Sequence, residues 1–214
     1  MNFHESLNWR YATKRMNGEE VPQEKLERIL DAIQLAPTSM GLQPFKILVI
    51  TDPELKERIK PIAFNQNQIT ESSHLLVFAA WDSISDEQID DYVELTRKER
   101  DLPEDELQPL RDMLEGTAKK SDEEIYHWSA RQTYIALGFG LAAAAVEEVD
   151  ASPMEGFNPD ELDELLELRE EGLKSVSLMA LGFRDEENDW LAPMKKVRRP
   201  KDELFDEPKL AELV

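Results

Sequence analysis

Three short runs of apolar, β-forming residues constrain the fold of this 214-residue chain more than any other feature. They cover residues 45–50, 75–81 and 176–183, and long stretches with helical character separate them. Because their apolar residues do not alternate with polar ones, we predict strands that are buried on both faces. Helices must therefore pack against the strands, although the helical share is too high for a regular doubly wound fold.

Caps and prolines place the helices between these strands. Capping boxes at Ser85 and Ser121 mark two helix starts, and the residue before Pro37 is biased out of the helical region. We predict a short helix around Phe3 and Leu7 and further helices at about residues 22–36, 53–62, 85–100, 103–119, 121–145 and 158–168. The small residues at 138–145 indicate close backbone packing. Residues 65–72 show no clear period, residues 150–157 are predicted to form a loop, and the segment from Trp190 is predicted to pack as an arm.

Composition narrows the class of protein. The chain has 46 Asp and Glu against 25 Lys and Arg, a formal net charge of −21, and no cysteine. This acidity argues against binding to nucleic acid or to anionic membranes. The absence of cysteine excludes disulfides and thiolate metal sites. With no signal-peptide pattern and no apolar run of about 20 residues, we expect a cytoplasmic protein with one domain over residues 1–214.

Several sequence motifs are present without the surrounding pattern that their function requires. Gly138–Ala143 matches the dinucleotide fingerprint, but it lies inside a helical pattern rather than between a strand and a helix. The three histidines are isolated, without a second histidine at metal-binding spacing, so we expect no metal site. The acidic runs 160–164 and 185–189 lack the pattern of a calcium loop, and we interpret them as solvated faces.

Two basic segments interrupt this acidic chain at opposite ends. Arg10, Lys14 and Arg15 form the first, and the stretch Lys195–Lys201 forms the second. Surface ion pairs are the simpler explanation, because acidic partners are abundant. The alternative is one anionic ligand gripped from both ends, since arginine forks and lysine charges suit a phosphate. Hydroxyl, amide and backbone N–H groups elsewhere in the chain would suit a large, flat, phosphate-bearing cofactor.

Five segments, taken in order, resemble the nitroreductase family of FMN-dependent oxidoreductases. They are Arg10–Arg15, similar to the R-x-S/A-x-R/K opening, Ala36–Phe45, similar to A-P-S/T…Q-P-W/F, Pro153–Phe157, similar to P-x-E/G-G-F/Y, the strand end Leu181–Phe183, and Lys196-x-Arg198. The resemblance implies an α+β fold, an α-β-α sandwich with a mixed central sheet and long helices. It also implies a homodimer that exchanges a C-terminal arm, about residues 190–214, and builds two FMN sites from both subunits.

The resemblance assigns the cofactor site residue by residue. It implies FMN contacts at Arg10, Tyr11, Ala12, Lys14, Thr38, Ser39, Gly41, Gln43, Asn65, Gln68, Pro153, Met154, Glu155, Gly156, Lys196 and Arg198. Of these, Arg10, Lys196 and Arg198 would hold the FMN phosphate. Lys14 would face the N1/O2 edge of the flavin, where negative charge collects on reduction. The segment 153–156 would cover one face of the ring.

The other implied contacts concern the ring edge and the acceptor. Asn65 would bond the pyrimidine edge, the Glu155 N–H would lie near N5, and the residues between 38 and 43 would come from the partner subunit. Gln68 stands where many relatives carry a lysine, so we expect a more negative flavin midpoint potential. The helix around Met113 and Leu114 is expected to overhang the pocket and to select among acceptors.

The activity implied by the resemblance is reduction of nitroaromatic or quinone-type acceptors with NAD(P)H as co-substrate. Hydride would pass through flavin N5 in two half-reactions at one site, so no side chain is required as a general acid. Two alternatives stay open. The chain could be another flavin enzyme of this fold, with a different dehydrogenase substrate or one that consumes flavin, or a cofactor-free acidic dimeric interaction protein.

Overall fold

A computed structural model describes residues 1–207, so the end of the predicted arm, 208–214, lies outside the described residues. The helices in this range are α1 (Phe3–Trp9), α2 (Gln23–Gln34), α3 (Pro53–Ile62), α4 (Gln68–Glu71), α5 (Asp86–Arg100), α6 (Gln108–Ala118), α7 (Asp122–Val146), α8 (Pro159–Leu165) and α9 (Lys201–Leu204). The strands are β1 (Phe45–Ile50), β2 (His74–Trp81), β3 (Asp150–Met154) and β4 (Leu173–Gly182). Among residues 1–207, no helix is long and apolar enough to cross a membrane.

The strands form one sheet in the order β1-β2-β4-β3 within the described range. The α+β class is confirmed, but this sheet is antiparallel at each of its pairings rather than mixed. Ile50 at the end of β1 lies opposite Leu75 near the start of β2. The connection through α3 and α4 therefore returns the chain to the end of the sheet that it left. A parallel neighbour would have required a crossover to the opposite end.

Residues 150–154 form β3, so the predicted loop over 150–157 is wrong in its first part. Ser152 and Pro153 weaken the local strand signal. Pairing with β4 imposes the strand, with Pro153 opposite Met179. Proline is tolerated there because β3 is an edge strand of the described sheet, where a missing N–H leaves no neighbour unpaired.

Both faces of β2 and β4 are buried, as the unalternating apolar runs predicted. The same prediction is wrong for β1, an edge strand of the described sheet that buries Ile50 and exposes Lys46 and Val49. One face of β2 and β4 packs against α2 and α7. The other face packs with apolar side chains of α3, α4 and α8. A Cβ added to Gly140 of α7 would lie 3.0 Å from Ile33 and 3.1 Å from Met179, so α7 approaches its neighbours closely. The prediction of close packing for the small residues at 138–145 is confirmed at this position.

Helices α5 and α6 form a pair with a core of its own. Leu114 is fully buried in that core, whereas Met113 is 48% exposed. The Leu114 side chain therefore stabilises the helix pair, and the expectation that the helix around Met113 and Leu114 overhangs the pocket stays a prediction. Met113 is the member of the two that faces outward.

Candidate functional site

The two basic segments from opposite ends of the chain meet in one cleft. The cleft lies between the residues that follow α1 and the tail that follows β4, and its volume is about 660 Å³. This volume is within the range of about 300–1,000 Å³ that small-molecule sites occupy. Six of the predicted site residues line it, namely Arg10, Tyr11, Ala12, Pro153, Lys196 and Arg198.

The cations of this cleft repel one another. Burial and then the nearby Arg198 hold the pKa of Arg10 below its usual value, although Asp150 acts in the opposite direction. Burial, Arg10 and Arg198 likewise lower the pKa of Lys196. Arg10 Nε is buried without a hydrogen-bond partner, and neither Arg10 nor Arg198 forms a salt bridge with any residue in 1–207. An anion in the cleft would relieve this repulsion and satisfy the buried donor.

Lys196 connects the tail to the end of α1. Its Nζ donates to the carbonyl oxygens of Leu7 at 2.7 Å, Asn8 at 3.2 Å and Arg10 at 2.6 Å. These carbonyls lie at the negative end of the helix dipole, where a cation is stabilised. An ammonium group has three donors, and all of them are directed at the backbone here. Lys196 therefore contributes positive charge to the cleft, while the guanidinium groups of Arg10 and Arg198 have no carboxylate partner in residues 1–207; Arg198 Nη1 donates to the Val197 carbonyl oxygen at 2.6 Å.

The remaining cations of the first basic segment differ in their partners. Arg15 forms a salt bridge with Glu71, with an N–O distance of 2.9 Å, as the ion-pair explanation predicts. Lys14 is partly buried and forms no salt bridge with a residue in the described range. Lys14 thus stays available to a ligand, together with Arg10.

Arg184 supports the cleft, although nothing in the sequence singled it out. Its guanidinium stacks on the rings of Trp9, at 4.2 Å, and Tyr11, at 4.7 Å. Its Nη2 and Nε also donate to the buried carboxylate of Asp150 at 2.7 and 3.0 Å. A guanidinium stacked between aromatic rings and paired on its edge is held rigidly. The only local signal was the aromatic pair beside Arg10.

Two carboxylates inside the acidic runs are buried, so the prediction that these runs are solvated faces is wrong at both positions. Asp163 is 1% exposed and accepts the N–H of Ser175 at 2.8 Å. Asp189 is 2% exposed and accepts the N–H of Lys14 at 2.7 Å. Their neighbours in the same runs are mostly exposed. The partner of Asp189 is distant in sequence, which is why the local composition gave no sign of its burial.

A chain of amides supports the predicted ring-binding loop. Gln66, which sequence reasoning missed, donates from Nε2 to the carbonyl oxygen of Gly156 at 2.7 Å. Gln68 is 3% exposed and donates from Nε2 to Oε1 of Gln66 at 3.2 Å. Gln68 is therefore bonded to Gln66 and supports Gly156 indirectly. Asn65 is exposed and has a φ of 57°, a left-handed conformation that asparagine tolerates better than most residues.

The loop that follows β3 presents mainly its backbone. Met154 is 5% exposed because its side chain belongs to the core on the second face of the sheet. Glu155 is exposed, and burial together with the neighbouring Glu155 carboxylate raises the pKa of Tyr134 to about 12. The Glu155 side chain is thus directed toward α7. The N–H groups of this loop are the atoms that could cover a ligand.

The four predicted residues between 38 and 43 lie elsewhere, in the connection between α2 and β1. The Ser39 N–H donates to Gln132 of α7 at 2.9 Å, and Gln43 Nε2 donates to the Gln34 carbonyl oxygen at 2.7 Å. Gly41 has a φ of +70°, and a Cβ there would lie 2.5 Å from Tyr92 Oη. None of these residues lines the cleft formed by the described part of this chain. Their contribution from a partner subunit stays a prediction.

An apolar groove runs along the outer side of α7, between that helix and helices α1 and α2. Its volume is about 770 Å³, and it is lined by Phe3, Leu7, Tyr134, Ile135, Phe139 and Val146 among others. These side chains are 36–59% exposed. Exposed apolar patches of this kind mark surfaces that bind a partner.

The enclosed sheet and the cationic cleft define an α+β protein with a cleft whose charge suits an anionic ligand. A sequence model described as "Nitroreductase family" matches residues 7–183. The chain is 33% identical over 193 residues to YfkO, a proposed NAD(P)H nitroreductase of Bacillus subtilis (strain 168), over 84% of this chain and 87% of the relative. The chain therefore belongs to the nitroreductase family.

Solved structures share the fold. A proposed NAD(P)H:FMN oxidoreductase from Staphylococcus epidermidis ATCC 12228 superposes with a TM-score of 0.86 at 22% identity, over 97% of each chain. A proposed nitroreductase from Exiguobacterium sibiricum 255-15, determined in complex with FMN, gives a TM-score of 0.82 at 21% identity, over 97% of this chain and 98% of the other. At these identities the likeness establishes the architecture alone.

Proposed function

We propose that this protein is an FMN-dependent oxidoreductase that uses NAD(P)H to reduce nitroaromatic or quinone-type acceptors. The observation that carries the proposal is the cleft in which Arg10 and Arg198 face each other without carboxylate partners in the described range. Membership of the nitroreductase family and the FMN complex of a structural relative support the choice of ligand. When bound, FMN supplies hydride transfer between the nicotinamide and the acceptor.

The phosphate of FMN fits the cationic part of the cleft. The buried Arg10 Nε lacks a partner, and a phosphate oxygen would provide an acceptor for it. Arg198 would contribute a second guanidinium from the opposite wall. Lys196 would lower the electrostatic potential energy of the anion while it holds the tail against α1. Charge-assisted hydrogen bonds of this kind contribute about 1.5–3 kcal/mol each.

The flavin ring would lie beside the other predicted contacts. Lys14 would place a cation at the ring edge on which negative charge develops during reduction. The backbone from Pro153 to Gly156 would cover one face, and Asn65 would hydrogen-bond the pyrimidine edge. Gln66 and Gln68 would act through Gly156, whose carbonyl oxygen accepts from Gln66. The protein thus contributes orientation and electrostatics rather than a proton-transferring side chain.

The working form is proposed to be a homodimer. A second copy of this chain would cover the apolar groove along α7, bring residues 38–43 to the cleft, and exchange the arm that begins near Trp190. Phe139→Glu would place a charge in that groove and is expected to give monomers with weakened FMN binding. Met113→Glu, at a similarly exposed apolar residue on α6, should remain dimeric. Analytical ultracentrifugation distinguishes these outcomes, and a dimeric Phe139→Glu variant would contradict the proposed interface.

The test of the function begins with the purified protein. A yellow preparation whose flavin absorbance survives desalting, or a colourless one that binds added FMN, is expected. Anaerobic stopped-flow mixing with NADH and NADPH should bleach the flavin, and a quinone or a nitroaromatic compound should restore its absorbance. A protein that neither retains FMN nor can be reconstituted with it would refute the proposal.

A further inference from the structure

Asp189 connects the two walls of the cleft through a single carboxylate. Its Oδ2 accepts the N–H of Lys14 at 2.7 Å, the Tyr11 O–H at 3.0 Å and the Arg15 N–H at 3.4 Å. Its Oδ1 accepts the N–H of Leu191 at 2.9 Å. The first three donors belong to the basic segment after α1, and the fourth begins the tail that leads to Arg198.

The main chain at Asp189 fixes the direction of the tail. The Asp189 N–H donates to the Asp185 carbonyl oxygen at 2.8 Å, and the Ala192 N–H donates to the Asp189 carbonyl oxygen at 3.0 Å. The Asp185 N–H in turn donates to the Arg15 carbonyl oxygen at 3.0 Å. Both the side chain and the backbone of this turn are thus bonded to residues 10–15. This junction and the Lys196 ammonium, which donates to the carbonyl oxygens of Leu7, Asn8 and Arg10, both link the segment of Arg10 to the tail that carries Arg198.

Asp189 carries out this task without neutralising the cations of the cleft. Burial alone would raise its pKa, but the N–H groups of Lys14 and Leu191 and the Tyr11 hydroxyl hold the pKa below its ordinary value. Hydrogen bonds to a carboxylate stabilise its charged form in this way. Burial and the bond to Asp189 also raise the pKa of Tyr11, so its hydroxyl keeps the proton that it donates. Because Asp189 is satisfied by these donors, Arg10 and Lys14 remain free for a ligand.

We propose that Asp189 is a positioning residue that sets the distance between Arg10 and Arg198 and thereby makes the cleft selective for a phosphate-bearing flavin. The inference rests on the proposed function. It implies that Asp189 affects the binding of the FMN phosphate rather than that of the flavin ring. Loss of the junction should separate the two guanidinium groups, while the contacts to the ring stay largely in place.

The experiment compares the affinities of FMN and riboflavin, which differ by the phosphate, for the full-length apo protein. In Asp189→Asn the amide NH2 group faces a donor that the carboxylate now accepts, so that hydrogen bond is lost. We expect the ratio of FMN affinity to riboflavin affinity to fall about tenfold. Asp185→Asn removes the same charge from the same turn, where the carboxylate accepts hydrogen bonds from Asn188 alone among residues 1–207. That control should leave the ratio within about twofold.

A second variant covers the case in which Asp189→Asn does not fold. Tyr11→Phe removes one donor to Asp189 and keeps the ring beside Arg184, and it should lower the ratio about threefold. A purely structural role for Asp189 would reduce the Tm of the apo protein while leaving the ratio unchanged, and that result would overturn the inference. Wild-type protein that binds neither flavin would refute the proposed function and this inference together.

Discussion

Arg10→Met should separate ligand binding from stability. Met keeps most of the apolar stem and removes the guanidinium, whose Nε is buried without a partner and whose pKa is lowered by burial and by Arg198. An unsatisfied buried donor costs about 1–3 kcal/mol, so its removal should leave the apo protein as stable as the wild type or more stable. The holo protein, in contrast, loses charge-assisted bonds to the phosphate.

The size of the binding defect follows from those bonds. The loss of one such bond costs about 1.5–3 kcal/mol, which corresponds to an increase of about ten- to a hundredfold in the Kd of FMN. Quenching of flavin fluorescence during titration of the apo protein measures this Kd. Urea unfolding of the same apo samples measures the free energy of unfolding. The slope m, the dependence of that free energy on urea concentration, should be equal in the wild type and the variant.

Arg15→Met is the matched control in the same segment. Arg15 is committed to Glu71, at 2.9 Å, and it does not line the cleft. Its replacement should lower the free energy of unfolding and leave the Kd of FMN within about twofold of the wild-type value. The reasoning would be refuted if Arg10→Met destabilised the apo protein as much as Arg15→Met does while FMN binding stayed intact.

Three further predictions concern the surrounding residues. Gln68→Leu removes the donor from the buried Gln68 side chain to Gln66 and should cost about 1–3 kcal/mol in urea unfolding. It should shift the flavin midpoint potential only slightly, because the Gln68 amide is bonded to Gln66. Because the pKa of Asp189 is lowered in the folded protein, its charge should stabilise the fold above about pH 4 and cease to do so at more acidic pH. The difference in unfolding free energy between the wild type and Asp189→Asn, measured as a function of pH, tests this. Gly41→Ala should destabilise the protein by about 1–3 kcal/mol, and Tyr92→Phe in the same chain should recover part of the loss in Tm, because the added Cβ meets Tyr92 Oη at 2.5 Å.

The strands that could be predicted from the sequence are those in which the strand's own residues form an apolar run. Residues 75–81 are apolar on both faces because β2 is buried on both, and residues 45–50 are apolar except for Lys46, so each pattern is visible in its own segment. β3 carries no such pattern, because it is short, contains Pro153, and becomes a strand by pairing with β4. The direction of the pairings was also hidden. It depends on which end of the sheet a helical connection returns to, and that is a property of packing rather than of composition.

In the cleft, too, features of neighbouring residues could be predicted, whereas contacts between residues far apart in the sequence could not. The reversal of charge at Arg10 and at Arg198 is local, so the sequence could indicate an anion site. The support from Asp150 and Asp189 could not be seen, because Asp150 pairs with Arg184, 34 positions away, and Asp189 accepts the N–H of Lys14, 175 positions away. Gln66 was missed for a related reason. Its task is to hold the Gly156 carbonyl oxygen, and a polar segment between elements gives no sign of such a partner.

A chain with a net charge of −21 must keep some cations from its own carboxylates if it is to bind an anion. The structure achieves this by saturating the carboxylates nearest the cleft. Asp150 is occupied by Arg184, which is itself held by two aromatic rings, and Asp189 is occupied by N–H and O–H donors. Both acids therefore fix the walls of the cleft through their hydrogen bonds. Because their oxygens are already occupied, they form no salt bridge with Arg10 or Arg198 in residues 1–207. Replacing either acid with a neutral residue would thus loosen the site, even though it removes negative charge from the neighbourhood of an anion. A rise in FMN affinity after such a replacement would show that net charge, rather than the geometry that these acids maintain, governs binding.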